Sequence, residues 1–295
     1  MTAADGVTGR SATAGGAGAS VSVGAPEGVR IGVIDTHVGR AQVTELFGAI
    51  WGMTATALPV NGDLLVALTH SGACVLGAWR GDRLIGAAVA AAGAPHADTL
   101  YSIVAGVAAD EAGSGVGRAL KLAQRHWGLA RGVRAIEWSY DPLVRRNAHF
   151  NLNRLGAGVR AFVPDYYPPM DDEVNRGDLP DRFVCEWILA DKPGPRAVPA
   201  GTAQAQPALG ATPSGEPVRT AYDLTGATMV TVATPADVET LRRTDHACAL
   251  RWRGLMRVVA TELFESGWRP VAVDAGGRYV FVPAALAARA PRSER

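Results

Sequence analysis

The chain has 295 residues, 48% of them hydrophobic, with 29 Lys and Arg against 28 Asp and Glu and a net charge of +1. That length and apolar share suffice for one large core or two modest ones, and the near balance of charge excludes the broad basic face of a nucleic-acid or anionic-membrane binder. The three cysteines, Cys74, Cys185 and Cys248, lack CxxC spacing and form no ligand-like pattern with the six histidines. They are read as buried thiols in a reduced compartment, with no metal.

Residues 1–27 are almost entirely small side chains and are expected to be a floppy tail, since they offer too little apolar volume to offset ordering of the backbone. They contain no apolar run preceded by positive charge, and no later stretch approaches the roughly 20 apolar residues of a membrane span, so a cytoplasmic protein is expected. "VRIGVID" (29–35) reads as a strand and "THVGRAQVTELFGAIWG" (36–52) as a helix. "CVLGAWRGDRLIGAAVAAAG" (74–93) reads as two apolar strands joined by a tight turn at Gly81 and Asp82. "TLYSIVAGVAA" (99–109) supplies another strand. From Val116 the apolar residues Ala119, Leu120, Ala123, Trp127 and Ala130 recur at helical spacing until Gly132. "VRAIEWSYD" (133–141) is the next strand, and "RRNAHFNLNRLGA" (145–157) a short helix closed by Gly156. "RAFVPDYY" and "RFVCEWILA" complete the region as strands.

This order predicts a mixed α/β sheet flanked by helices over residues 28–192. A Pro-, Gly- and Ala-rich linker is expected at 193–217, a small α+β unit packing on the first domain at 218–284, and a flexible tail at 285–295. Within the smaller unit, "GATMVTVAT" reads as a strand, Pro235 to Gly267 as one long helical stretch, and "RPVAVDAGGRYVFVP" as two strands around Gly276 and Gly277.

"AGSGVGRA" (112–119) lies where a strand gives way to a helix, and its glycines, Gly113, Gly115 and Gly117, alternate. A helix start exposes unpaired N–H groups, and glycine lets the backbone close on an anion without a Cβ in the way. The spacing excludes a dinucleotide fingerprint, which needs G-x-G-x-x-G, and a Walker A loop, which needs Gly-Lys-Ser/Thr where Arg118, Ala119 and Leu120 stand.

The segment resembles the acetyl-CoA diphosphate loop of the GNAT superfamily of N-acetyltransferases, Val-x-Pro-x-x-Arg/Gln-Gly-x-Gly-x-Gly/Ala. Val107, Gly113, Gly115 and Gly117 match it, whereas Ala109 replaces the proline and Ala112 the Arg/Gln. Asp141, Pro142 and Leu143, then Asn147, Ala148, Phe150 and Asn151, then Asp181 and Arg182, are similar to motifs of a bacterial branch of that superfamily. The resemblance covers about residues 30–190, with weaker similarity in "ALRWRGLMRVVATELFESGW".

It implies an acyl-CoA, most simply acetyl-CoA, as co-substrate, held by Val107, Gly113, Ser114, Gly115, Val116, Gly117 and Arg118. Asn147 and Asn151 are expected to reach the pantetheine arm, with capping or a solvated surface as their plainer roles. The thioester carbonyl would be held by backbone N–H groups between Ile103 and Val107. Many relatives carry an acidic tyrosine four residues before the glycine that closes this helix; here that position is Leu152, which leaves Tyr140, Tyr166, Tyr167 or solvent as proton donor. Glu137 and Asp141 are candidate bases, the first equally read as an arginine-paired carboxylate on the sheet surface and the second as an Asx turn before Pro142. Asp181 and Arg182 read rather as a salt bridge, His126 as surface and His149 as a less favoured base. Arg251, Trp252, Arg253 and Arg257 either neutralise an acidic ligand or dock a helix.

The resemblance thus implies an N-acyltransferase acting on a small-molecule amine by direct attack in a ternary complex. No nucleic acid, membrane or metal is expected as partner, and a homodimer is left open. The alternative is an acyl-CoA-binding or regulatory protein on the same fold with weak or no turnover.

Overall fold

The computed structural model describes residues 24–93, 98–168, 175–191 and 194–287. β1 (Val29–Val33), β2 (Cys74–Arg80), β3 (Arg83–Ala91), β4 (Thr99–Val107), β5 (Ala135–Tyr140), β6 (Gly158–Val163) and β7 (Arg182–Ile188) form one sheet in the order β1-β2-β3-β4-β5-β7-β6. This is the mixed α/β arrangement expected from the sequence. All its pairs are antiparallel except β4 with β5. Those two are parallel because the chain returns through α3 (Val116–Leu129), the crossover that parallel neighbours require.

α1 (His37–Trp51) starts at Thr36, whose side chain accepts from the Gly39 amide, and stops at Gly52 in the left-handed region. α2 (Gly62–His70), capped by Asn61 through the Leu64 amide, has no counterpart in the sequence reading. Only Leu65 of its residues is buried, so it carries too narrow an apolar stripe to announce itself. α1 and α2 cover one face of the sheet, with Ile34, Val43, Phe47, Leu65 and Val89 in that core. α3 covers the other through Val116, Ala119, Leu120 and Ala123, the stripe expected of it. Close approach of α3 requires glycine at Gly86: a Cβ there would lie 2.9 Å from Val116 Cγ1. α4 (Arg145–His149) continues into a π-helical turn over Phe150–Arg154, where the Leu155 amide donates to the Phe150 carbonyl.

A second sheet runs β11-β12-β10-β8-β9, from β8 (Gln206–Ala211), β9 (Pro217–Arg219), β10 (Val230–Val232), β11 (Trp268–Val273) and β12 (Tyr279–Pro283). It corrects the expected linker at 193–217. Ala208 and Leu209 of β8 are buried, and their strand lies beside β10, so the low side-chain volume that suggested a loop serves close packing inside a sheet. The single helical stretch expected at 235–267 is two helices, α5 (Val238–Thr244) and α6 (His246–Glu265), because Asp237 and Asp245 each cap a new start. The turn at Gly276 and Gly277 stands as read, closed by hydrogen bonds between Asp274 and Arg278.

The two sheets share one apolar core. Phe183 of β7 packs edge-on to Tyr279 and Phe281 and tilted against Phe264 of α6. Asn153 bonds both the amide and the carbonyl of Val273 in β11, at 2.9 and 3.0 Å. The tail expected at 1–27 is corrected at its end: Pro26 accepts from the Val29 amide, Glu27 from Arg80, and Ala25 packs on the core. Residues 285–287 continue a helical turn from Ala284. The remainder of both expected tails, 1–23 and 288–295, lies outside the described residues. Among the described residues no helix is long and apolar enough to cross a membrane.

Candidate functional site

β4 and β5 pair over Thr99↔Ala135, Leu100↔Ile136 and Tyr101↔Glu137 and then separate. The separation has a local cause. Ala90 of β3 faces Ser102 while Val89 faces Val104, so Ile103 is an extra residue, and such a bulge bends its strand and ends the ladder. Beyond Tyr101 the two strands leave backbone groups facing a wedge, within the Ile103–Val107 region singled out for a carbonyl.

The wedge leads to the glycine loop. Residues 112–115 are exposed, and Gly113 and Gly115 hold φ of 79° and 92°, a region that side-chain-bearing residues rarely adopt. The first bonded amide of α3 is that of Ala119, to the Gly115 carbonyl at 3.0 Å. Before it, the amides of Gly113, Gly115, Val116, Gly117 and Arg118 have no hydrogen-bond acceptor among the described residues. This fits a diphosphate: unpaired donors at a helix start, on an exposed loop without Cβ atoms to block approach. Ser114 turns its hydroxyl back to the Glu111 carbonyl. The flanking acids are neutralised, Glu111 by Arg80 and Asp110 by Arg83, each through a bidentate pair. Val107 packs into the core beside the loop, and Pro26 borders it, 3.5 Å from where a Gly115 Cβ would stand. On the α1 side of the same strand end, a cavity of about 570 Å³ opens between Gln42, Leu46, Ile50, Leu84 and Val107.

Glu137 and Ser139 share one face of β5, and Trp138 and Tyr140 the other, as alternation requires. On the face away from α3, the Tyr101 hydroxyl meets that of Tyr166 at 2.9 Å and Ser139 meets Tyr167 at 3.0 Å. Burial pushes the Tyr101 and Tyr167 hydroxyls upward, and the bond from Tyr166 adds to the first. The Arg182 guanidinium lies over the Tyr167 ring. Glu137 stands in this cluster, paired with the exposed Arg160 at 3.2 Å. Of the three tyrosines considered as donors, Tyr166 and Tyr167 lie in this polar cluster.

Tyr140 does not, and its assignment is corrected. It points into the core against Phe183, burial raises its hydroxyl well above the usual range, and the neighbouring Tyr279 hydroxyl donates elsewhere, to the Pro142 carbonyl. Asp141 is corrected too. Its side chain is 7% exposed and bonded to Arg242 and Arg253, which also hold Asp178. Burial raises its carboxyl, but the guanidiniums of Arg253 and Arg242 outweigh that and hold it well below the ordinary range, which removes it as a base. The Asx turn read at Asp141 is present, its Oδ1 accepting from the Leu143 amide.

Asn147 and Asn151 are also separated, because the π turn inserts an extra residue and breaks the four-residue register. Asn147 is exposed, whereas Asn151 is buried and accepts from Trp138 Nε1 at 3.2 Å. Leu152 is fully buried. His126 and His149 are exposed. Asp181 pairs with Arg257, and Arg182 donates to the Asp181 carbonyl. The arginines of α6 dock rather than receive a ligand: Arg251 binds Glu216, Arg253 the buried aspartates, and Arg257 Asp165 and Asp181, while Trp252 is buried. Glu216, Asp245 and Cys248 lie close together, but the first is paired with Arg251 and the second caps α6.

One residue at the wedge went unread in the sequence. Lys121 of α3 is 5% exposed, donates to Ser102 Oγ at 2.8 Å and stands 4.2 Å over the Trp138 ring. Its signal was compositional: the chain has two lysines, Lys121 and Lys192, against 27 arginines.

No family model matches the chain, and no curated protein does. Solved structures do. An N-acetyltransferase from Staphylococcus aureus aligns over 55% of this chain and 98% of its own, at 15% identity and a TM-score of 0.45. A GNAT-family acetyltransferase from Streptococcus pneumoniae aligns over 54% and 99%, at 12% identity and 0.44. A Salmonella typhimurium structure with its cofactor acetyl-CoA aligns over 58% and 100%, at 18% identity and 0.46.

Proposed function

We propose that this chain is an acyl-CoA-dependent N-acyltransferase that uses acetyl-CoA or another acyl-CoA to acylate the amine of a small molecule. The observation that carries the reading is the continuity of one feature: a bulged β4 parts from its parallel neighbour and leads to five amides around the start of α3 that have no acceptor among the described residues. A bound acyl-CoA supplies the activated carbonyl and a thiol leaving group. The chain's own part is to hold the diphosphate on the amides of Gly113–Arg118 and the carbonyl on backbone donors near Ile103. The amine would approach from the opposite face, where Glu137, Ser139, Tyr101, Tyr166 and Tyr167 place acceptors and hydroxyls around the end of the β4–β5 ladder. Direct attack in a ternary complex is the mechanism this reading carries, with the acyl-CoA and the amine meeting from two faces of one parting.

A second reading, an acyl-CoA-binding regulator with weak or no turnover, is favoured by Leu152, an apolar buried residue at the position of the acid, and by Ala112 beside the loop. Thermal-shift titration with acetyl-CoA, coenzyme A and longer acyl-CoAs, followed by thiol release across an amine panel, separates the two. Binding with release supports the enzyme, binding without release supports the regulator, and absence of both removes the reading.

A further inference from the structure

Lys121 is a buried amine with no carboxylate partner among the described residues. It is one of two lysines in a chain that uses 27 arginines, and arginine supplies the cation of every ion pair among the described residues. Arginine cannot release a proton in a protein; lysine can. The exception stands where β4 and β5 part, its Nζ on Ser102, the residue that follows the last β4–β5 pair and precedes the bulge.

The groups around Lys121 supply donors and few acceptors. From β4, Ser102 Oγ accepts its bond and donates to Gln124 Oε1 at 3.2 Å. From α3 itself, Gln124 is fully buried and its Nε2 has no partner. From β5, the Trp138 ring faces the ammonium and its own N–H goes to Asn151. Cys74 of β2 and Cys185 of β7 are the titratable groups facing it, and burial pushes both thiols upward, Cys74 to about 12, so both are neutral near pH 7 and supply no negative charge. A buried site with an ammonium held by a single hydroxyl and one amide donor without a partner is complementary to a ligand that brings acceptors.

On the acyltransferase reading above, we propose that Lys121 is the proton donor to the leaving thiolate, filling the role for which Leu152 offers no hydroxyl. The amine nitrogen bonds to the thioester carbonyl carbon as the C–S bond breaks and its electron pair goes to sulfur. Lys121 Nζ–H gives that sulfur a proton and yields the free thiol, the new amide loses its extra proton to solvent, and Lys121 regains one from solvent. Burial lowers the Lys121 ammonium to about 7, so it is an acid matched to a thiolate at neutral pH, and its neutral product is the form a dry site favours.

The test compares wild type with K121M, K121R and S102A. NMR of the lysine side-chain signals, assigned by their loss in K121R, reads Lys121 with and without coenzyme A, and calorimetry reads acetyl-CoA binding. Thiol release from acetyl-CoA with hydroxylamine as acceptor is followed against pH. The expected results are titration of Lys121 between about pH 6 and 8, far below the usual lysine range, and a shift of its signal on coenzyme A addition. In wild type the release rate falls as pH rises through that window. K121M and K121R bind acetyl-CoA within about threefold of wild type, release thiol at least tenfold more slowly and lose that fall with pH; S102A slows release less than either lysine variant, retains the fall with pH and moves its midpoint. Titration near the ordinary lysine value, a signal indifferent to bound coenzyme A, variants with the wild-type rate or profile, or binding with no release in wild type would each overturn the proposal. Absence of acetyl-CoA binding would instead remove the acyltransferase reading beneath it.

Discussion

Replacing Arg253 by Met isolates the contribution of the charge cluster that joins the two sheets. Its guanidinium is fully buried and donates to both oxygens of Asp141 and both of Asp178, while Arg242 bonds the same two carboxylates. The substitution keeps most of the volume and leaves two buried carboxylates facing one guanidinium. Breaking a buried pair from one side costs about 3–5 kcal/mol, and the wild-type Nη1 has no partner to lose, so the lower end applies. For a chain of this size about 1 kcal/mol corresponds to roughly 2–4 °C, which sets the expected fall in melting temperature on the order of 10 °C at pH 7. The pH dependence follows from Asp141. Its folded pKa lies below its unfolded value, so its contribution is present above about pH 4 and is lost as pH falls through the folded value. The gap between wild type and R253M therefore narrows below about pH 4. Calorimetric melts from neutral to acid pH measure it. A gap near zero at pH 7, or one that stays constant into acid, would refute the reasoning.

Other expectations follow from single sites. Asn153→Ala strands the Val273 amide and carbonyl in the core and should destabilise by about 2–6 kcal/mol in urea melts, since an unmet buried donor or acceptor each costs on the order of 1–3 kcal/mol. Gly115→Val forces a branched side chain to φ 92°; a loss of about 1–3 kcal/mol in stability and a weaker acetyl-CoA thermal shift are expected. The three cysteines are free and buried, so a thiol reagent should label none rapidly in the native protein and all three after denaturation.

The first sheet was legible because its strands are apolar runs bounded by turns and its long helix α3 has a regular stripe. α2 was not, since a helix with one buried residue has no periodicity to read. β8 was hidden for the opposite reason: Pro207, Ala208, Leu209 and Gly210 look like a loop until the neighbouring β10 and β9 supply their ladder. In the site, the glycine loop is a local backbone pattern, so its positive φ values and its place before α3 could be read from sequence alone. Asp141, Tyr140 and Asn151 could not, because their fates depend on partners such as Arg253, Phe183 and Trp138 that lie far away in sequence or across the sheet. A motif names residue types; burial and partner charges decide what they do.

The central claim is that the first amides of α3 hold an acyl carrier's diphosphate. Its most direct measurement is an amide-resolved NMR titration of the 15N-labelled protein with coenzyme A. The amides of Gly113, Gly115, Val116, Gly117 and Arg118 should shift together and saturate with one binding constant. Saturable binding that leaves those five amides in place, or no binding at all, would contradict it.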